Sequence, residues 1–227
     1  MDWHMIYLMR SRMRMRALRV RVWPHFLAGM VAAMIVVILL AGTALAQEIP
    51  RDAYEHRRDL MRSWRHVWGL TAPTSTAAAQ IHQESAWRPD ARSFAGAQGL
   101  AQFMPRTADW IGAIDPELSA PAPYDPRWAL RAQARYMRHL YERIAGALDD
   151  CERMAFALSA YNGGLGWVQR RRAAAPDPSR CIDAACTINP GITAGNQREN
   201  ERYSWRILVL IEPVYYAHGW GPATCLA

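Results

Sequence analysis

Glu84–Pro105 reads ESAWRPDARSFAGAQGLAQFMP, and the fold is read outward from it. Thr74 or Ser75 can cap a helix that runs to about Ser85. On that helix Ala77, Gln80, Ile81 and Glu84 share one side at i, i+3, i+4 and i+7 spacing. The spacing puts a carboxylate on the stripe that faces the core. Desolvation there raises a carboxyl pKa, as a general acid near neutral pH requires. The rival reading is a Glu at a helix end, solvated or paired with Arg88 or Arg92. Trp87-Arg88-Pro89 ends the helix, because the residue before proline disfavours the α region. Phe94 to Gly99 holds two glycines and can pass close to a ligand or another backbone. Gly99 to Pro105 opens a second element. Its Gln102 offers an amide with two donors and an acceptor, while Met104 reads first as core filler.

The flanking chain reads as helices joined by loops. Asp52 to Leu70 forms a packing helix with Leu60, Trp64 and Val67 on one face. Pro116, Pro121 and Pro123 make positions 112–124 a connecting loop. Asp125-Pro126 starts a long amphipathic helix marked by Leu130, Ala134, Met137, Tyr141, Ile144 and Leu148. Its Arg131, Arg135 and Arg138 read as a solvated face. Cys151 to Asn162 is the next helix, stopped at Tyr161-Asn162-Gly163-Gly164, which leaves a phenol and an amide at a helix terminus. A short helical piece covers Gly166 to Arg172. Ala173 to Gly195 reads as an inserted loop stapled by one or two disulfides. Asn196 caps the last helix and Glu199 completes a capping box. The buried stripe of that helix is Tyr203, Ile207, Leu210 and Val214, and Pro213 bends or ends it. No strand alternates convincingly, so the expected class is all-α.

The chain has 227 residues and a net charge of +7, with 27 basic residues that are all arginine. Six of these arginines precede position 46, where Asp2 is the one acid. Without that segment 21 basic residues face 19 acidic ones, a net of +2. The positive balance therefore belongs to the leader, and no nucleic-acid partner is expected. The leader has an Arg-rich stretch to Arg21, an apolar run from Phe26 to Leu45, and Ala44-Leu45-Ala46 before Gln47. It reads as an export signal cleaved after Ala46, with an uncleaved membrane anchor as the alternative; Met13 or Met15 is an alternative start. Four cysteines, Cys151, Cys181, Cys186 and Cys225, suggest two disulfides in an exported chain. Their pairing stays open. No Cys-x-x-Cys occurs and no His stands at ligand spacing, so no metal site is expected. The expected organisation is 1–46 leader, 47–70 packing helix and 71–227 functional domain, with the loop at 173–195.

Glu84-Ser85, then Gly99 to Pro105, then Ala160-Tyr161-Asn162-Gly163-Gly164, then Glu199-Asn200-Glu201-Arg202-Tyr203 resemble the ordered motifs of the soluble lytic transglycosylase family. The resemblance covers about Thr71 to Tyr216. It implies a goose-type lysozyme-like helical domain that cuts peptidoglycan glycan strands as an exported monomer, without metal or cofactor. Carried over by position, Glu84 matches the family's single catalytic acid and base, and Ser85 the serine that follows it. Ser93 falls near the leaving group. Gln102 and Met104 match residues lining the glycan cleft. Tyr161 and Asn162 match the pair that holds the acid and the substrate, and Glu199 and Tyr203 match the last motif. The sequence departs from the pattern at Ala101, where Met is usual, and at Gly163, where Ala is usual. Its last motif reads ENERY where ETRNY is typical. The reaction implied is intramolecular, ending in a 1,6-anhydromuramoyl sugar. No second acid is expected to act as nucleophile or water base; Asp90 is the nearest and reads as a loop residue. The alternatives are a hydrolytic muramidase, including a phage lysis enzyme, and a glycan-binding module that has lost catalysis.

Overall fold

The structure, a computed structural model, describes residues 48–226. The leader and its cleavage site at Ala46 lie outside them. Helix α1 (Arg51–Trp68) buries Ala53, Leu60 and Trp64, the face set by its apolar spacing. It packs on α2 (Thr74–Ser85) and α4 (Pro126–Glu142). Helix α2 is buried from Thr74 to Ile81 on every side, so it is the central rod and not a surface helix. Its small residues let neighbouring backbones approach. The Thr74 and Ser75 hydroxyls do not cap it, contrary to expectation. They donate to Trp220 O (2.6 Å) and Gly221 O (2.7 Å), and the capping position is Pro73. The first turn of α2 thus clasps the C-terminal tail.

Helix α3 (Pro105–Ile114) follows the loop after α2, and a short 3-10 turn at Pro116–Leu118 leads on towards α4. Asp125 caps α4 as expected, accepting from Arg127 N (2.7 Å) and Trp128 N (3.1 Å). The helix stops at Glu142, short of its apolar pattern. Ile144 is buried beyond the helix end, but Leu148 is exposed. Gly146, at φ +65°, turns the chain, and Leu148 N donates to Ser179 O instead of continuing a helical ladder. The arginine face of α4 is more than solvated. Arg131 pairs with Glu117 (2.5 Å), Arg135 with Asp115 (2.7 Å) and Arg138 with Glu142 (2.6 Å).

Helix α5 (Asp150–Gly163) is capped by Asp149 and α6 (Leu165–Ala174) follows directly. The inserted loop is docked on the body. Glu152 accepts from Cys181 N (2.7 Å) and Ile182 N (3.2 Å), and buried Arg171 donates to Gln197 Oε1 (2.9 Å) and Ile188 O (3.2 Å). Helix α7 (Ala194–Trp205) starts at Thr193, whose hydroxyl accepts from Asn196 N; Asn196 is not the cap. A π-helical segment, Arg206–Ile211, links α7 to α8 (Glu212–Ala217). The π turn has a wider period, so the buried stripe steps by four: Tyr203, Ile207, Ile211 and Tyr215. Leu210, expected inside, is exposed. Pro213 neither ends the helix nor breaks it, since it sits in the first turn of α8. Among the described residues there is no strand, only isolated bridges from Gln98 to Arg92 and to Phe103. The all-α expectation holds.

Cys151 pairs with Cys225 across 74 residues, and Cys181 with Cys186 across 5. Loop-closure entropy grows with the length of chain enclosed. Replacing the first pair by alanines is therefore expected to cost about 4 kcal/mol and the second about 2. Urea unfolding of the two double variants checks the order.

Candidate active site

Glu84 lies in the last turn of α2, and the chain leaves that helix abruptly. Ala86 (φ +51°) and Trp87 (φ +66°) are both left-handed, an uncommon backbone for residues with a Cβ. The helix stop is Ala86, before the expected Trp87-Arg88-Pro89. Trp87 is held there by burial, by its indole N–H donating to Tyr215 Oη (2.6 Å), and by rings packed against His56 and Trp220. Strained backbone persists where its surroundings over-determine it.

The loop that follows is laced to itself. Gly99 N donates to Ala91 O (2.8 Å), Ser93 N to Ala97 O (2.9 Å), and Gln98 and Phe103 exchange two backbone bonds (3.0 and 3.1 Å). Gly99 has no substitute: its φ is +71°, and a Cβ would stand 1.7 Å from Pro123 O. This frame forms one wall of a cavity of about 500 Å³ with Glu84 in its lining. Ser93, Gln102, Met104, Tyr161, Asn162, Glu199 and Tyr203 line it as well. Four elements far apart in sequence therefore converge as the motif order implied. Ser85 does not join them. It is buried, and its hydroxyl turns back to Ile81 O (3.4 Å). Three others are partly committed elsewhere. The Gln102 amide nitrogen donates to Ala91 O (3.1 Å) and Gly99 O (2.9 Å), so it shapes the loop it was expected to serve from. The Ser93 hydroxyl accepts from Ala97 N (2.9 Å). Tyr161 donates to Ala101 O (2.6 Å) and not to Glu84.

The hold on Glu84 is Tyr203, whose hydroxyl donates to Glu84 Oε1. Behind it runs a buried chain that sequence reasoning did not assemble. Trp64 Nε1 donates to Gln133 Oε1 (3.0 Å), Gln133 Nε2 to Gln80 Oε1 (2.9 Å), and Gln80 Nε2 to Tyr203 Oη (3.3 Å). Each donor occupies the next acceptor, so the Tyr203 proton has one direction left, towards Glu84. The signal was present: Gln133 stands at i+3 from Leu130 on the apolar stripe of α4, where a glutamine needs partners. Burial pushes the Glu84 carboxyl up to about 8; Tyr203 opposes the rise and nearby Glu199 adds to it. Burial also holds the Tyr161 and Tyr203 phenols well above their usual range, so both remain donors.

Glu199 does not form the expected capping box, because Thr193 is the cap. It is exposed at the cleft and accepts from Asn162 Nδ2 (3.5 Å). It is thus a second carboxylate in the cleft, where the match to the last motif implied it would stand although no second acid was expected to act as nucleophile or water base; Asp90 lies outside. Asn162 Oδ1 in turn accepts from Asn200 Nδ2 (2.9 Å), and buried Asn200 also bonds both the hydroxyl and the carbonyl of Ser159. A Cβ on Gly163 would stand 2.6 Å from Asn200 Nδ2. Two of the departures from the family pattern, Gly163 and Asn200, therefore touch: the smaller residue on α5 leaves room for the larger one on α7.

The sequence profile of the family described as the transglycosylase SLT domain matches residues 67–181. The chain is 36% identical over 95 residues to the membrane-bound lytic murein transglycosylase F of Shewanella denitrificans, covering 42% of this chain and 18% of that one. It is 33% identical over 111 residues to the membrane-bound lytic murein transglycosylase F 2 of Alkalilimnicola ehrlichii, covering 49% and 23%. It spans about a fifth of the length of these curated relatives. Among solved structures it is similar to the 70 kDa soluble lytic transglycosylase of Escherichia coli, at 24% identity over 70% of this chain and 24% of that one, with a TM-score of 0.49.

Two outcomes follow from the geometry. Gly163→Ala alone is expected to destabilise by about 1–3 kcal/mol through overpacking, and Gly163→Ala with Asn200→Thr by clearly less than the sum of the single changes. A double-mutant cycle in urea measures that coupling. Glu84 binds its proton more tightly folded (about 8) than at its ordinary value of 4.5. Between those values the native state holds more protons than the unfolded one, so stability falls as pH rises. Glu84→Gln is expected to be the more stable protein, by a margin that opens above pH 4.5 and levels near pH 8 at about 2–3 kcal/mol, allowing for partial exposure to cleft water. Unfolding curves across pH 4 to 9 test the shape; a margin that does not change with pH contradicts it.

Proposed function

The chain belongs to the transglycosylase SLT domain family, and from that premise we propose that it is a peptidoglycan lytic transglycosylase. It cuts the β-1,4 bond between N-acetylmuramic acid and N-acetylglucosamine and leaves 1,6-anhydromuramoyl ends. The observation that carries the reading is a carboxyl pushed up to about 8 in the lining of a glycan-sized cleft, with one oxygen engaged by Tyr203.

The chemistry follows from that arrangement. At neutral pH Glu84 is protonated. Tyr203 donates to Oε1, so the proton resides on Oε2. Glu84 gives it to the glycosidic oxygen as the C1–O bond breaks, and the aglycone leaves as an alcohol. The carboxylate left behind is still solvated by Tyr203. It takes the proton of the muramoyl 6-hydroxyl as that oxygen bonds to C1, which closes the anhydro ring and restores protonated Glu84. The attacking group is already part of the substrate, so no encounter with water is needed. Gln102, Met104, Tyr161, Asn162 and Glu199 would contact the strand, with Ser93 near the leaving sugar. The domain acts on the envelope side of the membrane, reached through the N-terminal leader.

One observation favours a second reading, hydrolysis: Glu199 places another carboxylate in the cleft, where it could activate water on the far side of the sugar. Digestion of purified peptidoglycan and mass analysis of the muropeptides separates the two. Anhydro ends are expected. Reducing ends that disappear in Glu199→Gln would establish hydrolysis. Glu84→Gln is expected to lose about 10²–10⁴-fold in rate. Activity should fall as pH rises through about 8, where Glu84 loses its proton. In Tyr203→Phe the opposing hydrogen bond is gone, and that fall should move to higher pH.

A further inference from the structure

Helix α1 turns its apolar face inward, and its opposite face carries a second pattern. At helical spacing Arg51, Tyr54, Arg58, Met61, Arg62 and Arg65 fall on one stripe, turned away from buried Ala53, Leu60 and Trp64. The four arginines and Tyr54 are exposed, and Met61 is half-buried. An open hollow of about 760 Å³ runs along the stripe, lined by Tyr54, Arg58, Met61, Arg62 and Arg65 and by no carboxylate. Arg57 and His66 also border it, but both are engaged with the body. Arg57 lies over the Trp220 ring at 5.2 Å, and His66 faces Glu117 at 3.9 Å. The acids of α1, Asp52, Glu55 and Asp59, fall to one flank of the stripe. Asp59 stands 3.6 Å from Arg62 and 3.7 Å from Arg127. Among the described residues Arg51, Arg58 and Arg65 are in no ion pair, whereas Arg131, Arg135 and Arg138 on the outer face of α4 each have one.

What the stripe meets follows from its place in the chain. The apolar run of the leader ends at Leu45, six residues before Arg51, and six residues reach about 20 Å at most. The stripe is thus carried close to the membrane that this run enters, and phospholipid phosphates supply the complementary charge. We propose that the outer face of α1 docks on anionic phospholipid headgroups, with Arg58, Arg62 and Arg65 on the phosphates and Tyr54 and Met61 at the headgroup boundary. Guanidinium groups bind phosphate through charge-assisted, often bidentate, hydrogen bonds. Each arginine near an anionic bilayer adds to the attraction. The apolar face of α1 is spent in the core, so the helix docks through its guanidinium groups and does not insert. No residue of α1 lines the cleft, so a domain seated in this way keeps the cleft free. The same face serves a chain that keeps its leader and one that has lost it. The proposal rests on the envelope-side location given under the proposed function and is independent of the chemistry at Glu84.

The test mixes the full chain with vesicles of phosphatidylcholine alone, or of phosphatidylcholine with phosphatidylglycerol. Its arginines are then labelled with phenylglyoxal and located by mass spectrometry. On the anionic vesicles Arg58, Arg62 and Arg65 are expected to label about fivefold more slowly than on the neutral ones. Arg202 and Arg206, which line the cleft, should label alike on both. The comparison holds with or without the leader, because an inserted leader keeps the chain on both kinds of vesicle. The protection should fade with added salt. In Arg58→Gln/Arg65→Gln the remaining Arg62 reports on the face and should lose its protection, while an unchanged urea midpoint shows that the variant is folded. Equal labelling of the stripe on the two kinds of vesicle would overturn the docking surface, as would equal protection of Arg202 and Arg206. Protection of the stripe by purified peptidoglycan and by neither vesicle would overturn it in favour of the wall. A chain that shows the protected stripe but cuts no glycan leaves the docking surface standing and removes the catalytic reading.

Discussion

The structure depends on keeping one carboxylic acid protonated at the end of a buried helix. Glu84 sits in the last turn of α2, where the exposed carbonyl ends of the helix oppose a negative charge, and burial opposes it further. Left alone, such a group would either stay neutral without direction or draw in water. Tyr203 gives it direction by occupying one oxygen. Tyr203 in turn is oriented by Gln80, Gln133 and Trp64, which reach through the core from α2, α4 and α1. Most of the helical body is therefore coupled to the orientation of a single O–H. A buried polar chain is favourable only when every member is satisfied, and here each amide nitrogen and carbonyl along it has its partner.

Much of this was legible in the chain. The stripe Ala77, Gln80, Ile81, Glu84 turned the carboxylate inward, and the four motifs met at one cleft in the order in which they occur. What failed to show was of two kinds. Capping was misread where a hydroxyl had a tertiary alternative: Thr74 and Ser75 suit a helix start, but carbonyls of the C-terminal tail accept their hydrogen bonds. Register was misread where the backbone departed from the α period. The spacing Tyr203, Ile207, Leu210, Val214 assumes an α-helix, and the π turn at Arg206–Ile211 exchanged Leu210 for Ile211. Neither error is a matter of propensity. Both depend on long-range partners that local pattern does not contain, as does the pairing of Tyr203, rather than Tyr161, with Glu84.

Gly163 and Asn200 show why departures from a family pattern are better read in pairs. Alone, a glycine at the end of α5 loses helix stability, and an asparagine inside α7 leaves a buried amide in need of partners. Together they satisfy each other. The glycine opens the volume, and the asparagine fills it with bonds to Ser159 and Asn162. Asn162 is then fixed beside Glu199 at the cleft. The altered motif thus fixes Asn162 through Asn200 and sets it beside Glu199.

Helix α2 also carries the control for the assignment of Glu84, because a second buried glutamate meets its other end. Glu212 is fully buried, and its Oε1 accepts from Thr76 Oγ1 (2.5 Å) and Thr224 N (2.5 Å). Burial raises its pKa too, so proton affinity alone does not separate the two residues. Access and partners do. Glu212 is shut in by the tail that Cys151–Cys225 holds down, near the end of α2 whose free N–H groups favour negative charge. It does not line the cleft. Glu84 has one donor, lies at the opposite pole of the same helix and opens on the cleft. The same side chain is enclosed at one end and faces the cleft at the other, and the difference lies in helix polarity and in what faces its second oxygen.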